Sequence, residues 1–537
     1  MKGMLKTFKR RFSQREIPSG NDRASPRAAA GDPDQHSQAS HESEPTTGEN
    51  RSRQRPSSQT RRDVKDSSRS TATPTGANPT PVSYSQCHFT KKDLLTAMPS
   101  FRECIAAEKE LLFIRKLKLC CIYFDFDDQS PQENVCKEMK RQILLEAVDY
   151  ISTTKKWFSE AIVPVLLEMI SVNLFRALPP SAHAPISEAD DEDPVVDPAW
   201  PHLQIIYEFL LRFIVSSDTD MKVMKKYING HFILNILELF QSADSRERDY
   251  LKTILHRIYG KFMSQRNFIR QSITNVFLKV IYECDRHKGI GELLEILGSV
   301  INGFAQPVKI EHKKFLRTVL LPLHTVKFVA PFHAQLAFCI SQFIDKDPSL
   351  SPLIIRGLLA YWPLTNSAKE VLFLNELEEV LEATQPDEFK QIVHPLFKRL
   401  AACIGSPHFQ VAERALFFWN NEYLASMTSD HAAIVLPLLY PALHRNSKTH
   451  WNSTVHSLTF NIIKMFMELN DELFQECRQA YEAKELSEES ESEKHSANWE
   501  TIVNMANVAI EVREGATRSD QKYDDDDDES LMSDGSS

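Results

Sequence analysis

The stretch Gly291-Glu-Leu-Leu-Glu-Ile-Leu-Gly-Ser-Val-Ile-Asn-Gly-Phe304 decides the fold. Its residues Leu293, Ile296, Leu297, Val300, Ile301 and Phe304 follow steps of three, one, three, one and three, which makes one wide apolar face of a helix. The same spacing extends outward from about Cys87 to Tyr481. Short breaks interrupt it, among them Asp345-Lys-Asp-Pro-Ser, Thr384-Gln-Pro-Asp and Gly405-Ser-Pro-His. Apolar-Pro-apolar pieces recur at Leu321-Pro-Leu, Ser351-Pro-Leu, His394-Pro-Leu and Leu436-Pro-Leu. Their prolines, 322, 352, 395 and 437, are 30, 43 and 42 residues apart. Two of those intervals match the ~40–47-residue period of HEAT or armadillo hairpins. Glycine agrees: only eight of the 400 residues from 81 to 480 are Gly, against a usual ~7%. That is too few for a turn-rich β-protein or a dinucleotide-binding fold. The expected fold is therefore an all-α, HEAT-like α-solenoid, a class whose long concave surface suits protein binding.

Charge divides the chain into three parts, 1–86, 87–481 and 482–537. Residues 1–80 carry a net +6 and residues 481–537 a net −12, leaving −4 for the body out of −10 overall. Between Pro18 and Asp63 there is no Val, Ile, Leu, Met, Phe, Trp, Tyr or Cys, so this arm cannot offset its ordering entropy by burial. The N-terminal arm and the acidic C-terminal stretch both read as disordered tails. Lys9-Arg10-Arg11 reads as part of a solvated basic arm, and Ser487 to Glu493 as a solubilising segment. No apolar run reaches the ~18 residues of a membrane span; the longest, Ala432 to Leu443, contains Pro437 and Pro441. Nine cysteines without a C-x-x-C pattern predict reduced thiols, hence cytoplasm or nucleus.

Catalytic constellations are missing. Gly289-Ile-Gly291 lacks a third glycine and follows no strand, so it reads as a helix-start loop. There is no Walker A, H-E-x-x-H or G-x-S-x-G motif. His324, His394 and His444 stand singly in helical patterns and read as packing or surface residues. Cys120-Cys121 reads as two small hydrophobes, and Phe417-Phe418-Trp419 with Tyr423 as hairpin core. No basic stripe crosses the body, which argues against nucleic acid. No catalytic residue, metal or cofactor is expected.

Longer segments are more specific. Ala199-Trp-Pro-His-Leu-Gln-Ile-Ile-Tyr-Glu-Phe209, Leu255-His-Arg-Ile-Tyr-Gly-Lys-Phe262, Glu292 to Gly298, Phe373-Leu-Asn-Glu-Leu-Glu378 and Ser406 to Leu416 closely resemble the B-prime (B′) family of regulatory subunits of protein phosphatase 2A. Asn420-Asn-Glu-Tyr423 and Arg445 to Trp451 strengthen the likeness, which spans about residues 88–480. The resemblance implies a solenoid of about eight repeats and a non-catalytic role. Members dock on a scaffold subunit and touch the catalytic subunit, so the implied partners are those two chains and the phosphoproteins recruited to them. The metal-binding motifs of such phosphatases are absent from this sequence. A HEAT-type cargo or assembly adaptor without a phosphatase partner is the alternative.

The resemblance also implies sites. Members bind L-x-x-I-x-E motifs between neighbouring repeats, which needs two apolar pockets and cations for the glutamate. Tyr259, Ile296 and Val300 match the isoleucine pocket, with His256 and Glu295 bordering the leucine. Arg257 and Lys309 match the residues that hold the glutamate, and Arg266 and His312 those that attract downstream acid or phosphate. Val300 stands where isoleucine is common, a loss of one methylene worth up to ~1 kcal/mol of affinity. From periodicity alone Ile296 and Val300 would be plain core and the cations plain surface. The acidic loop Glu188, Asp190, Asp191, Glu192 and Asp193 is expected to be a connector, or by resemblance to face the catalytic subunit.

Overall fold

In the computed structural model the described residues are 89–524, apart from 97, 106, 156, 179–195, 284 and 285; side chains are described as far as Arg513. Every regular element among them is helical. The chain divides into two units, Met1–Pro81 and Val82–Ser537, and all described elements belong to the second.

Within that unit the main helices are α1 Lys109–Leu119, α2 Pro131–Thr153, α3 Ile162–Leu174, α4 Trp200–Val215, α5 Gly230–Leu239, α6 Ser245–Lys261, α7 Arg266–Tyr282 and α8 Ile290–Asn302. They continue with α9 Ile310–Phe315, α10 His333–Lys346, α11 Ser351–Ala360, α12 Ser367–Glu382, α13 Val393–Ile404, α14 Phe409–Leu416, α15 Ala432–Thr449, α16 Ser453–Leu469 and α17 Asp471–Asp524. From α1 to α16 they follow one another as eight hairpins. Even-numbered helices pack in sequence, α2 on α4, α4 on α6, and so on through α16. Odd-numbered helices form the second layer, with α11, α13, α15 and α17 packed in turn. This is the expected solenoid.

Side chains explain the starts and stops. Asn229, Asp244, Asn366 and Asn452 sit at N-caps with their oxygens accepting backbone amides, for example Asn229 Oδ1 from Phe232 at 3.1 Å and Asp244 Oδ1 from Arg246 at 2.9 Å. Gly289 precedes α8, and a Cβ there would stand 2.5 Å from the Phe240 carbonyl oxygen, so only glycine fits that approach. The four recurring prolines all fall in odd-layer segments: Pro322 in the continuation of α9, Pro352 in α11, Pro395 in α13 and Pro437 in α15. Between the layers lie fully buried Phe213, Ile254, Ile258, Leu293, Leu336, Phe343, Leu377 and Phe373. Each such side chain contributes about 1.5–3 kcal/mol of burial. Cys120 is buried as expected, its thiol pushed up to about 12 by burial. Phe418 is buried too, while Tyr423 stays partly exposed and donates its hydroxyl to the Thr384 carbonyl at 2.6 Å.

Helical order does not stop at the expected boundary near residue 481. Helix α17 runs on to Asp524. The segment 482–513 is acidic but contains neither Gly nor Pro, and Arg478–Glu482 (2.9 Å) and Lys484–Glu488 (3.3 Å) form i,i+4 pairs along it. Net charge signalled a tail where local propensity favours a helix. The basic arm 1–86 lies outside the described residues.

Candidate functional site

Helices α6 and α8 are neighbours in the even layer, and polar side chains bridge them. His256 Nε2 lies 3.0 Å from Ser299 Oγ. One turn earlier on α6, Lys252 Nζ is 2.8 Å from Glu295 Oε2 and 2.8 Å from Asp249. Burial opposes the Lys252 charge, but its bonds to the two carboxylates hold its pKa above the ordinary lysine value. His256 goes the other way: burial, and then Arg257 beside it, push its pKa below the usual histidine value. The imidazole is therefore neutral at pH 7.

Tyr259, three residues beyond His256, starts a second group. Its hydroxyl accepts from Arg270 Nη1 at 3.1 Å, and Arg270 Nη2 stands 4.0 Å from Glu311 at the start of α9. Arg266 lies over the Tyr259 ring, 5.3 Å from its centroid. It also donates from Nε to the Tyr259 carbonyl at 3.0 Å and from Nη2 to that of Gly260 at 3.2 Å. Those bonds satisfy the last carbonyls of α6. Arg266, expected to meet downstream acid, is thus first a cap for its own helix.

His312 has contacts of its own too. Its ring stacks on Phe304 with centroids 3.7 Å apart, and Nε2 is 3.3 Å from Glu311 Oε1. Burial, outweighing the attraction of Glu311, lowers its pKa, and so do Arg270 and Lys309. That environment favours the neutral form of the ring. Ile296 and Val300 are 2% and 6% exposed and pack in the core. Arg257 and Lys309 are both exposed and have no ion pair among the described residues. Lys309 is the N-cap of α9, which brings it close to His312 one turn on.

The expected residues therefore gather along α6, the start of α7, α8 and the start of α9. Residues 188–193 lie outside the described ones, but the chain on either side is tied by Arg176 Nη2 to Asp197 Oδ2 at 2.7 Å.

The family model for the protein phosphatase 2A regulatory B subunit (B56 family) matches residues 98–506. This chain belongs to the B56 family. It is 52% identical over 413 residues to the B′ beta isoform of the 57 kDa regulatory subunit of serine/threonine protein phosphatase 2A from Arabidopsis thaliana, covering 76% of this chain and 83% of that one. It is 50% identical over 428 residues to the delta isoform of the human 56 kDa regulatory subunit, covering 79% and 71%. The regulatory subunit pptr-1 of Caenorhabditis elegans is 49% identical over 408 residues, covering 76% and 75%. Membership of the B56 family makes the chain a phosphatase regulator and not a catalytic subunit.

Sequence reading singled out no role here for four side chains that contact the expected residues: Lys252, Arg270, Ser299 and Phe304. A signal existed for two of them. Lys252 precedes His256 by one turn and Arg270 follows Arg266 by one turn, so each shares a face with a chosen residue. Ser299 and Phe304 carried no chemical mark.

Proposed function

We propose that this protein assembles with the scaffold and catalytic subunits of protein phosphatase 2A and recruits substrates through L-x-x-I-x-E motifs. Recruitment uses the groove lined by His256, Tyr259, Glu295 and Arg270. The observation that carries the reading is the pair Arg257 and Lys309, exposed cations left without a carboxylate among the described residues, in a region where Lys252, Arg248 and Arg270 all have one. An incoming glutamate supplies the missing partner through charge-assisted bonds. Tyr259 and the aliphatic residues of α8 receive the motif's isoleucine. We place the protein in the cytoplasm and nucleus, the reducing compartments that nine cysteines without a C-x-x-C pattern favour. Among the described residues no helix is long and apolar enough to cross a membrane.

Calorimetry with an L-x-x-I-x-E peptide tests the groove. Arg257→Glu or Lys309→Glu abolishes binding while leaving co-purification with scaffold and catalytic subunits intact. Unchanged affinity in either variant refutes the site, and failure of the wild-type chain to form a ternary complex refutes the assembly. The acidic stretch 188–193 is proposed to face the catalytic subunit and repel phosphate. Neutralising it changes holoenzyme turnover; unchanged turnover leaves only a connector.

A further inference from the structure

A second polar cluster lies away from this groove, where the continuation of α9 meets α10 and α12. Pro322 has no amide hydrogen, and the backbone before it widens into a π-helical turn at Leu316–Leu320. The helical path then ends at Leu323, and His324 folds its ring back on that end. His324 Nδ1 is 3.1 Å from the Leu320 carbonyl oxygen and 3.0 Å from that of Leu321. Those contacts require the proton on Nδ1, so the Nε2 of a neutral ring presents its lone pair. Nε2 stands 3.1 and 3.0 Å from the two carboxylate oxygens of Glu376, in the middle of α12. His333, the first residue of α10, brings its own Nε2 to 2.9 Å from Glu376 Oε2. That approach is off the line of a hydrogen bond, and the nitrogen has no other partner.

The three side chains are 0%, 7% and 1% exposed. The lone pair of a neutral His324 faces a carboxylate in a dry core, which is repulsive unless positive charge lies between them, and His333 Nε2 faces the same carboxylate without an aligned hydrogen bond. A proton on His324 would satisfy one nitrogen and leave His333 Nε2 orphaned. A divalent cation satisfies all three donors, which lie within 4.8 Å of one another. We propose that His324, His333 and Glu376 form a buried structural site for a divalent metal of the zinc class. Two imidazoles and one carboxylate are ligands zinc accepts. Zinc bonds of ~2.0–2.1 Å in tetrahedral geometry place ligand atoms ~3.3 Å apart, and the two nitrogen–oxygen distances, 3.0 and 2.9 Å, lie a few tenths of an ångström from that value. The Nδ1 contacts of His324 to backbone carbonyls are the outer-shell arrangement that orients a ligating imidazole. The site joins three elements of the fifth and sixth hairpins, and its role is independent of the peptide groove.

The test uses the full-length chain, stripped with chelator and then loaded with zinc or cobalt alone. The expected results are one metal retained per chain after dialysis, the visible absorption of tetrahedral cobalt, and a higher melting temperature with zinc than with chelator. His333→Ala, shown to be folded by circular dichroism, loses the cobalt spectrum while keeping peptide affinity in the Tyr259 groove. Should that variant not fold, the isosteric Glu376→Gln reads the same loss. A wild-type chain that gives no tetrahedral cobalt spectrum overturns the site, as does a folded variant that keeps it.

Discussion

Two polar regions of this solenoid sit one hairpin apart and are built on opposite terms. Around Glu247 every charge is answered. The buried carboxylate takes both Nη atoms of Arg176, at 2.8 and 2.9 Å, and the Tyr207 hydroxyl at 2.6 Å. Arg176 reaches on to Asp197, whose amide donates to Asp244 Oδ2 at 3.3 Å. Along the Tyr259 groove the same residue types are left open at its edge, with Arg257 and Lys309 exposed and unpaired among the described residues. The same α6 helix serves both, with Glu247 on its first turn and Arg257 near its last. A closed network holds hairpins together because every buried lone pair is met; an open one leaves charge for a ligand.

The largest effect comes from breaking the closed region. Glu247→Ala leaves the Tyr207 hydroxyl unpaired in the core and Arg176 with the Asp197 carboxylate alone, with an expected cost of about 3–5 kcal/mol. Urea unfolding monitored by circular dichroism reads it as a lower midpoint. A loss below about 1 kcal/mol would mean that the network is not closed and that the contrast fails.

That contrast also marks how far the sequence could be read. The spacing of Leu293, Ile296, Leu297, Val300 and Ile301 was enough for α8, because a helix face is a local property of consecutive residues. The breaks at Thr384 and Gly405 fall between helices, the one at Asp345 covers the last two residues of α10 and the gap after it, and the recurring prolines mark the odd layer. Pairings such as Arg176 with Glu247, or His324 with Glu376, join residues 71 and 52 apart, and no local rule connects them. For the same reason His324 read as a single histidine. The expected site residues came from likeness to a family, and the contacts add what no spacing showed: Arg266 also caps α6, and His312 stacks on Phe304.

Buried histidine sharpens the comparison next. His202, on α4, is 4% exposed and lies 2.9 Å from the Lys137 carbonyl oxygen. Burial, helped by Lys140, pushes its pKa down to about 4. Between that value and the ordinary ~6.5 the unfolded chain binds the extra proton, so stability rises with pH. The contribution is fully present above ~6.5 and is lost as pH falls towards 4, about 3 kcal/mol in all. His202→Gln should flatten the denaturation midpoint across this window. The groove histidines His256 and His312 shift the same way but remain part-exposed, so replacing them should leave most of the slope. An unchanged slope in the His202 variant would move the pH dependence elsewhere.

The smallest expected effect is the one that separates the two regions most cleanly. Arg257 and Lys309 touch no carboxylate among the described residues, so replacing both with Ala removes no ion pair and creates no cavity. Surface substitutions of this kind change stability by no more than about 0.5 kcal/mol. The double variant should therefore unfold at the wild-type urea midpoint, whereas Glu247→Ala, on the same α6 helix as Arg257, lowers it clearly. On the proposed function, stability and recognition come apart at these two positions. A midpoint lowered by more than about 1 kcal/mol would show that the pair already has partners in solution, and the open edge of the groove would then be closed like the region around Glu247.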